Sequence, residues 1–432
     1  STAWHLLERG HEVTVVDRQP DAALETSFAN AAQISVSYCE PWANRDAPAK
    51  MLKWMFRNDA PLLFRPQLDW HQWRWGLQFL SQCNDAAFAR NVQQIVALGA
   101  YSHAALKDLV KTTGIEYNRL ERGIAHFYTD QKSFDAAGHA VELMRKFGVQ
   151  RRLVSRDELL KIEPAFKAYG DKITGGTYTS TDESGDARVF TQELARRCAA
   201  RGAQFLYGHD VLRLNKIGDA IDSVAVIARN TGAGGQKDFI LKADAFVVAC
   251  GSYSAPLLRT VGVDLPIYPG NGYSATFPLL RPEGAPMVST IDDGKKIAMS
   301  RLGNFLRVAG TIELNGWDLT LDSSLARARC HMLSRRIEAI LPGVCDTRTP
   351  EEGGNPQYWT GLRPATPTNI PFIGRTRVGK LWVNAGHGTL GWTHGAGSGK
   401  ALAELISGEQ PAMNFGFLGA EAVRAPRTVV AA

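Results

Sequence analysis

No run in the sequence reaches the roughly 18 to 20 consecutive apolar residues that a membrane-spanning helix needs. Asp244 to Cys250 has only the length of a buried strand, so no helical span is expected. Nor is there much excess of charge. Basic residues number 49 against 43 acidic ones, for a formal +6, and the pairs Arg196-Arg197 and Arg335-Arg336 read as solvated helix faces. Nucleic-acid binding therefore has no basic stripe to rest on. Cys39, Cys83, Cys198, Cys250, Cys330 and Cys345 include no CxxC pair, which argues against a disulfide framework and a zinc site and for reduced thiols in a cytoplasmic protein. Repeats and low-complexity segments are absent, and only the C-terminal end reads as a tail. What is present, 44% hydrophobic and 21% charged residues over 432 positions, is the make-up of a globular protein with two or more cores.

The chain is organised around Trp382 to Ile406. Leu381 to Val383 reads as a short buried strand and Gly386, Gly388 and Gly391 as a turn; Ala401, Leu402, Leu405 and Ile406 then recur at helical spacing. First-turn N–H groups of a helix lack intrahelical partners and carry partial positive charge, so such a junction suits a phosphate or the electron-rich edge of a flat ring. Glycine lets the backbone approach such a ligand closely. An ordinary strand-to-helix connection has the same spacing, so the stretch alone does not decide.

Ser1 to Arg9 reads as the last turns of a helix closed by Gly10, and His11 to Asp17 as an apolar strand ending in an acid. That is the second half of a βαβ nucleotide-binding unit, in which Asp17 would accept hydrogen bonds from ribose hydroxyls. The strand and G-x-G-x-x-G turn that open such a unit of about 30 residues are expected in about a dozen residues ahead of Ser1. Without them the pyrophosphate site would be lost.

Glu25 to Ser35 is small, polar and aperiodic, a loop whose backbone should lie against something. Trp42 to Leu120 is helical in character, and its tryptophans Trp54, Trp70, Trp73 and Trp75 are expected in a core. Strands are expected at Glu121 to Asp130 and Gln204 to Arg213, and helices at Phe134 to Phe147, Ser155 to Glu163, Ala187 to Cys198 and Ser323 to Leu341. Asp222 to Asn230 and Lys237 to Ala243 form a hairpin around Gly232 to Gly235, and Phe246 to Ser254 runs from a buried strand into a glycine turn. Tyr273 to Phe277, Lys296 to Ser300 and Phe305 to Ala309 alternate in polarity, the pattern of a largely antiparallel sheet.

In this order, Asp17 after an apolar strand, a hairpin returning to Val-Val-Ala-Cys-Gly and a late glycine turn resemble the D-amino-acid oxidase and glycine oxidase superfamily of FAD enzymes. Thr26-Ser-Phe-Ala-Asn-Ala-Ala-Gln-Ile34, Gly272-Tyr-Ser274, Trp359-Thr-Gly-Leu-Arg-Pro364 and Gly386-His-Gly-Thr-Leu-Gly-Trp-Thr393 resemble, within it, the bacterial D-amino-acid dehydrogenase small-subunit family. The likeness covers nearly the whole chain. It implies an α/β fold in which a discontinuous Rossmann-like FAD domain (1–45, 156–265 and 360–432) meets a largely antiparallel substrate domain (46–155 and 266–359).

The resemblance also implies roles. Asp17 and Arg18 would lie at the adenosine ribose, Val211 at the adenine, and Cys250-Gly251 near the pyrophosphate. Thr26, Ser27, Ala31, Ala32, Gln33 and Ile34 would line the flavin, and Gly386, His387, Gly388, Thr389 and Leu390 would aim N–H groups at the pyrimidine end of its ring. Arg363 would clamp the substrate carboxylate, since a guanidinium fork matches it bidentately, and Tyr273 would add a hydroxyl. Ala32 stands where that family has glycine, Asn271 where a lysine is common, Thr368-Asn369 where Asp-Gly is usual, and His394 and Ala396 where methionine and cysteine are expected. No cysteine lies near Trp359 to Gly361, where relatives with covalent flavin carry one, so FAD is expected to be non-covalent.

The implied reaction is oxidation of a D-amino acid by hydride transfer from Cα to FAD, giving a 2-oxo acid and ammonia, with electrons passed to a quinone or other respiratory-chain acceptor. Peripheral contact with the inner face of the bacterial inner membrane follows from the same likeness. Two alternatives remain open: an oxidase for glycine, sarcosine, D-proline or hydroxyproline-type amines that uses O₂, and a non-catalytic flavoprotein subunit. Peroxide formed in step with substrate loss would mark the first, and failure to hold FAD the second.

Overall fold

The computed structural model describes residues 1–54, 62–229 and 238–419. Its first half-unit is the expected one: helix Thr2–Leu7, a left-handed Gly10 (φ 79°), and strand Thr14–Asp17. That strand pairs in parallel with Gln204–Tyr207, placing Asp17 opposite Tyr207. Phe246–Val248 and Leu381–Ala385 form a second parallel pair, extended by antiparallel Phe372–Arg375. The segment expected as one strand from Gln204 to Arg213 is two, because Gly208 (φ 68°) turns the chain between Gln204–Tyr207 and His209–Ile217. His209–Ile217 and Phe239–Lys242 flank Ala220–Ala228 in an antiparallel ribbon; the glycines of its turn, Gly232 to Gly235, fall outside the described residues. Val226, Val248, Leu381 and Val383 meet in one apolar core beneath these strands.

The second half is a nine-stranded sheet. In spatial order it runs Gln357–Ala365, Tyr268–Pro278, Phe305–Leu314, Ile297–Leu302, Ser289–Asp292, Ile124–Tyr128, Gly175–Thr179 and Arg152–Ser155, with Leu62–Phe64 beside Phe305–Leu314. Most neighbours are antiparallel, as the alternating segments imply; Ser289–Asp292 and Ile124–Tyr128 are parallel. Two of the proposed domain limits need correcting. Gly175–Thr179 hydrogen-bonds into this sheet beyond residue 156, and residue 360 falls inside the continuous strand Gln357–Ala365.

Side chains alternate between the two faces of a strand, and here the faces have different neighbours. Ala275, Phe277, Leu306 and Val308 pack on Leu333, Ile337 and Ile340 of helix Ser324–Ile340. Residues on the other face, among them Ser289, Ser300 and Arg307, reach the loop around Asn30 to Gln33.

Two helices join the halves. Asp85–Thr113 starts on an Asn84 cap, whose side chain accepts from Ala87 N–H, and ends on left-handed Gly114 (φ 62°). Its buried Val92, Ile95, Val96, Leu98, Gly99, Ser102, Leu106 and Leu109 keep helical spacing. Gly391–Ile406 crosses it so closely that a Cβ at Gly397 would stand 2.5 Å from Ser102 Cα, and Gly397 N–H donates to Ser102 Oγ at 2.9 Å. The glycine-rich run after Thr393 is thus the contact half of the helix, which begins at Gly391, well before its apolar Ala401 to Ile406 end.

Candidate active site

Asp17 closes its strand with one carboxylate oxygen accepting Gln19 N–H at 2.9 Å, and burial pushes the group above its ordinary value despite that N–H. Arg18 turns away to pair with Glu25 at 2.7 Å and to lie 3.9 Å over the Tyr253 ring. Its charge is therefore compensated within the fold. Val211 sits at an irregularity in its strand and shares an apolar cluster with Val16, bringing it to the side of the Asp17 strand. Cys250, before left-handed Gly251 (φ 54°), is within electrostatic reach of Asp17.

The loop from Glu25 to Ser35 is fastened along its length. Thr26 Oγ1 donates to Leu362 O at 2.7 Å, Ser300 Oγ to Ala31 O at 2.8 Å, and Gln33 Nε2 to Ser289 Oγ at 2.8 Å. Gln33–Ile34 pairs with Glu183–Ser184, and Ser27 is half-buried beside Phe28, whose ring stacks on Trp359 with centroids 6.4 Å apart. Ala32 is left-handed (φ 58°) and 1% exposed, with Asn30 Oδ1 accepting its N–H at 2.9 Å. Such a conformation costs an alanine about 1–2 kcal/mol and a glycine almost nothing, so the backbone retains the shape a glycine would suit.

Arg363 lies on Gln357–Ala365 opposite Gly270, and a Cβ on the next facing residue, Gly272, would overlap its guanidinium. Nη1 donates to Thr311 O at 3.1 Å, and Arg363 makes no ion pair among the described residues. Burial alone lowers its pKa to about 10, so it remains a cation at neutral pH without a carboxylate. Tyr273 is not beside it. Pairing of Tyr273 with Thr360, one step off the Gly272–Gly361 pair, puts the tyrosine on the opposite face, where its hydroxyl donates to buried Glu313 Oε2 at 3.1 Å. The expectation of a shared carboxylate contact is corrected by that alternation.

The Arg363 strand lies against both the Gly251–Tyr253 turn and the Gly388–Leu390 turn. Gly386 (φ 86°) and Gly388 (φ 54°) take backbone that side chains avoid, and Thr389 is exposed while Leu390 is buried. Helices starting at Trp70, Asp85, Gln131, Arg156, Ala187 and Ser324 each have a side-chain N-cap, whereas neither this turn nor the helix from Gly391 has one. Leu390 N–H closes the turn on His387 O at 3.0 Å, and the N–H groups of Gly388 and Thr389 are left for another acceptor. His387 donates to or accepts from Ser398 Oγ at 3.1 Å through Nε2, and burial lowers its pKa to about 4, so at neutral pH the imidazole is uncharged.

Arg363, His387 and Cys250 share a further property: protein crowds each of them, yet water still reaches each side chain. They stand on the Arg363 strand and at the heads of the two turns that it touches, which together make one wall of the candidate site. From Asp17, past the loop of Ala31 to Ile34, to the uncapped glycine turn, the chain offers a carboxylate, a backbone fastened in place by its own partners, and the N–H groups of Gly388 and Thr389. This donor set fits a dinucleotide with a flat ring. Sequence reasoning missed Asp182, whose carboxylate accepts from Ser35 Oγ at 2.8 Å, Ser37 Oγ at 2.5 Å and Val36 N–H at 3.2 Å, fixing the end of the loop. It also missed Arg307, which donates to Asn30 O at 3.3 Å and Thr276 Oγ1 at 2.6 Å. Only the polar run around Asp182 gave a signal.

Known proteins are similar to this chain in sequence and in fold. The profile of the FAD dependent oxidoreductase (DAO) family matches residues 1–405. A D-amino acid dehydrogenase of Dechloromonas aromatica (strain RCB) is 48% identical over 418 residues, covering 97% of this chain and 96% of that protein. Another, of Cereibacter sphaeroides (strain ATCC 17029 / ATH 2.4.9), is 43% identical over 426 residues, covering 99% and 93%. Among solved structures, glycine oxidase from Geobacillus kaustophilus superimposes with a TM-score of 0.69 at 19% identity, covering 96% of this chain and 92% of that one. L-proline dehydrogenase from P. horikoshii gives 0.69 at 17% identity, covering 95% and 91%. At those identities the structures establish the fold.

Proposed function

The chain belongs to the FAD dependent oxidoreductase (DAO) family, and from that premise we propose that it oxidatively deaminates D-α-amino acids, the substrates named for its relatives. It is an FAD-dependent oxidoreductase. FAD, when bound, supplies the acceptor for a hydride from Cα, and the resulting imino acid hydrolyses to a 2-oxo acid and ammonia. The residues of the chain bind and orient. Arg363 takes the carboxylate through its fork. Asp17 would accept ribose hydroxyls, Val211 and Cys250-Gly251 would hold the adenine and pyrophosphate side, and the loop of Ala31 to Ile34 would lie along the ring. The N–H groups of Gly388 and Thr389 would favour negative charge at the edge of the ring. Oxidation of an uncharged amine by hydride loss requires no side-chain base, which suits a wall whose nearest histidine is neutral. We take the cofactor to be held without a covalent bond.

The observation that carries the reading is a desolvated cation, Arg363, lacking a carboxylate partner among the described residues, on a strand that touches the uncapped glycine turn. Anaerobic mixing with D-alanine is expected to bleach the absorbance of the oxidised flavin. Flavin that stays oxidised through a panel of D-amino acids and D-proline would overturn the assignment.

For the electrons we propose a quinone-type acceptor reached at the cytoplasmic face of a membrane. Among the described residues no helix is long and apolar enough to cross a bilayer. Helix Trp70–Gln82, however, buries Gln72, Trp75 and Phe79 and leaves Trp70 (69%), Trp73 (46%), Leu77 (63%) and Leu80 (48%) exposed in an outer stripe. Two tryptophans beside leucines, with Lys50 and Lys53 exposed on a nearby helix, suit a bilayer interface. The expectation that these tryptophans are core holds for Trp75 and fails for Trp70 and Trp73, and the side chain of Trp54 lies outside what the structure describes. The purified protein is expected to sediment with anionic lipid vesicles, and Leu77→Glu with Leu80→Glu to abolish this while turnover with a soluble dye acceptor continues. Wild-type protein that stays in the supernatant would refute the contact.

A further inference from the structure

A guanidinium on a long side chain has many rotamers, so one that must meet a carboxylate in a single orientation needs something to hold it. Arg363 has no acid in that role among the described residues. Two features of the adjoining strands converge on it instead. Gly272 faces it with no side chain, so that the guanidinium lies directly against bare backbone. Beyond Gly272, the strand Phe305–Leu314 carries one extra residue: pairing steps from Asn271 opposite Glu313 to Tyr273 opposite Gly310, leaving Thr311 and Ile312 against Gly272 alone. Within this bulge Thr311 has φ 59°, a conformation that a β-branched residue avoids. Its own hydroxyl does not explain the strain, being buried without a partner among the described residues. Its carbonyl does have a partner, Arg363 Nη1 at 3.1 Å.

We propose that Gly272 and Thr311 are positioning residues for substrate recognition: Gly272 is the floor under the Arg363 guanidinium, and the strained Thr311 carbonyl ties one end of it. Nε and Nη2 are left to face a ligand. The proposal rests on Arg363 being the carboxylate ligand.

The test compares flavin-loaded variants by steady-state kinetics with a D-amino acid. Gly272→Ala, whose Cβ would stand 1.6 Å from Arg363 Nη1, pushes only the far end of a flexible side chain, so the protein folds; a displacement of more than ~1 Å is expected to lower kcat/KM on the order of 100-fold, nearly all of it as raised KM. Thr311→Pro, which fixes φ near −65° and so turns the carbonyl away, is expected to raise KM likewise. Gly270→Ala is the control: a Cβ there meets Ile312 Cγ2 at an ordinary 3.5 Å, and KM should not move. Flavin absorbance is expected to be the same in Gly272→Ala and Gly270→Ala. Equal KM values for those two would overturn the positioning role. Arg363→Lys separates the premises: a raised KM there with none in Gly272→Ala defeats the positioning role alone, whereas an unchanged KM in Arg363→Lys defeats the clamp itself.

Discussion

Arg363→Ala is expected to reduce kcat/KM for D-amino acids by roughly 100- to 1000-fold, the equivalent of about 3–4 kcal/mol for removing one partner of a desolvated charge pair. Most of the loss should appear in KM, since the carboxylate keeps its charge while the Cα–H bond breaks and is bound in ground and transition states alike. Stability should move the other way. Arg363 is a desolvated cation with no ion-pair partner among the described residues, so its removal takes an unfavourable charge out of the protein and should leave the thermal midpoint unchanged or higher. Arg363→Lys keeps the charge without the fork and should fall between the two enzymes. The wild-type KM is also expected to rise as pH climbs through about 10, where burial places the loss of the Arg363 proton. A variant with full kcat/KM and lowered stability would assign Arg363 to the scaffold.

The second large effect is acid sensitivity. His126 is 1% exposed and His394 is 0% exposed, and burial lowers their pKa values to about 4 and about 3. Arg151 and Lys296 push His126 down further while Asp293, 3.6 Å from Nδ1, pulls it up; His394 faces Cys39 Sγ at 3.7 Å and is lowered again by His387. The unfolded chain takes up these protons near pH 6.5 and the folded one does so only well below. Stability is therefore complete above 6.5 and is lost as pH falls from there toward 4. At pH 5 the deficit is about 2 kcal/mol for each histidine, against a typical total of about 5–15 kcal/mol. His394→Met, which keeps the volume and removes a buried ring nitrogen lacking a partner among the described residues, should recover about 2 kcal/mol at pH 5 beyond any gain at neutral pH. Urea midpoints at the two pH values measure this. Parallel losses in both proteins would show that His394 does not set the acid limb.

Much of this arrangement was legible in the sequence because it depends on local pattern. An apolar strand ending at Asp17, a hairpin, alternating segments and a late glycine turn are each written within a few neighbouring residues. What was not legible depends on register or on distant partners. Tyr273 is adjacent to Gly272, but adjacency says nothing about which face a side chain takes; pairing with Thr360 sends it to Glu313. Asp182 is fixed by Ser35 and Ser37, nearly 150 positions earlier, and no period in either segment announces the meeting. Trp73 and Trp75 belong to one helix and carry the same hydrophobicity, and only packing of Trp75 on Tyr268 and Ala365 separates a buried ring from an exposed one. The glycines after Thr393 resemble a turn, and it is the crossing at Ser102 that makes them helical.

The two-faced strand Tyr268–Pro278 has a practical outcome for anyone reshaping the specificity of this protein. Its odd-numbered residues Ala275 and Phe277 are committed to the helix beneath, so random variation there will mostly yield insoluble product. Ser274 and Thr276, on the alternate positions, face the side of the Asn30 to Gln33 loop, to which Thr276 is linked through Arg307. A mutant library restricted to that alternate set, taken together with its counterparts on the neighbouring strands, would explore selectivity while leaving the foundations of the sheet in place.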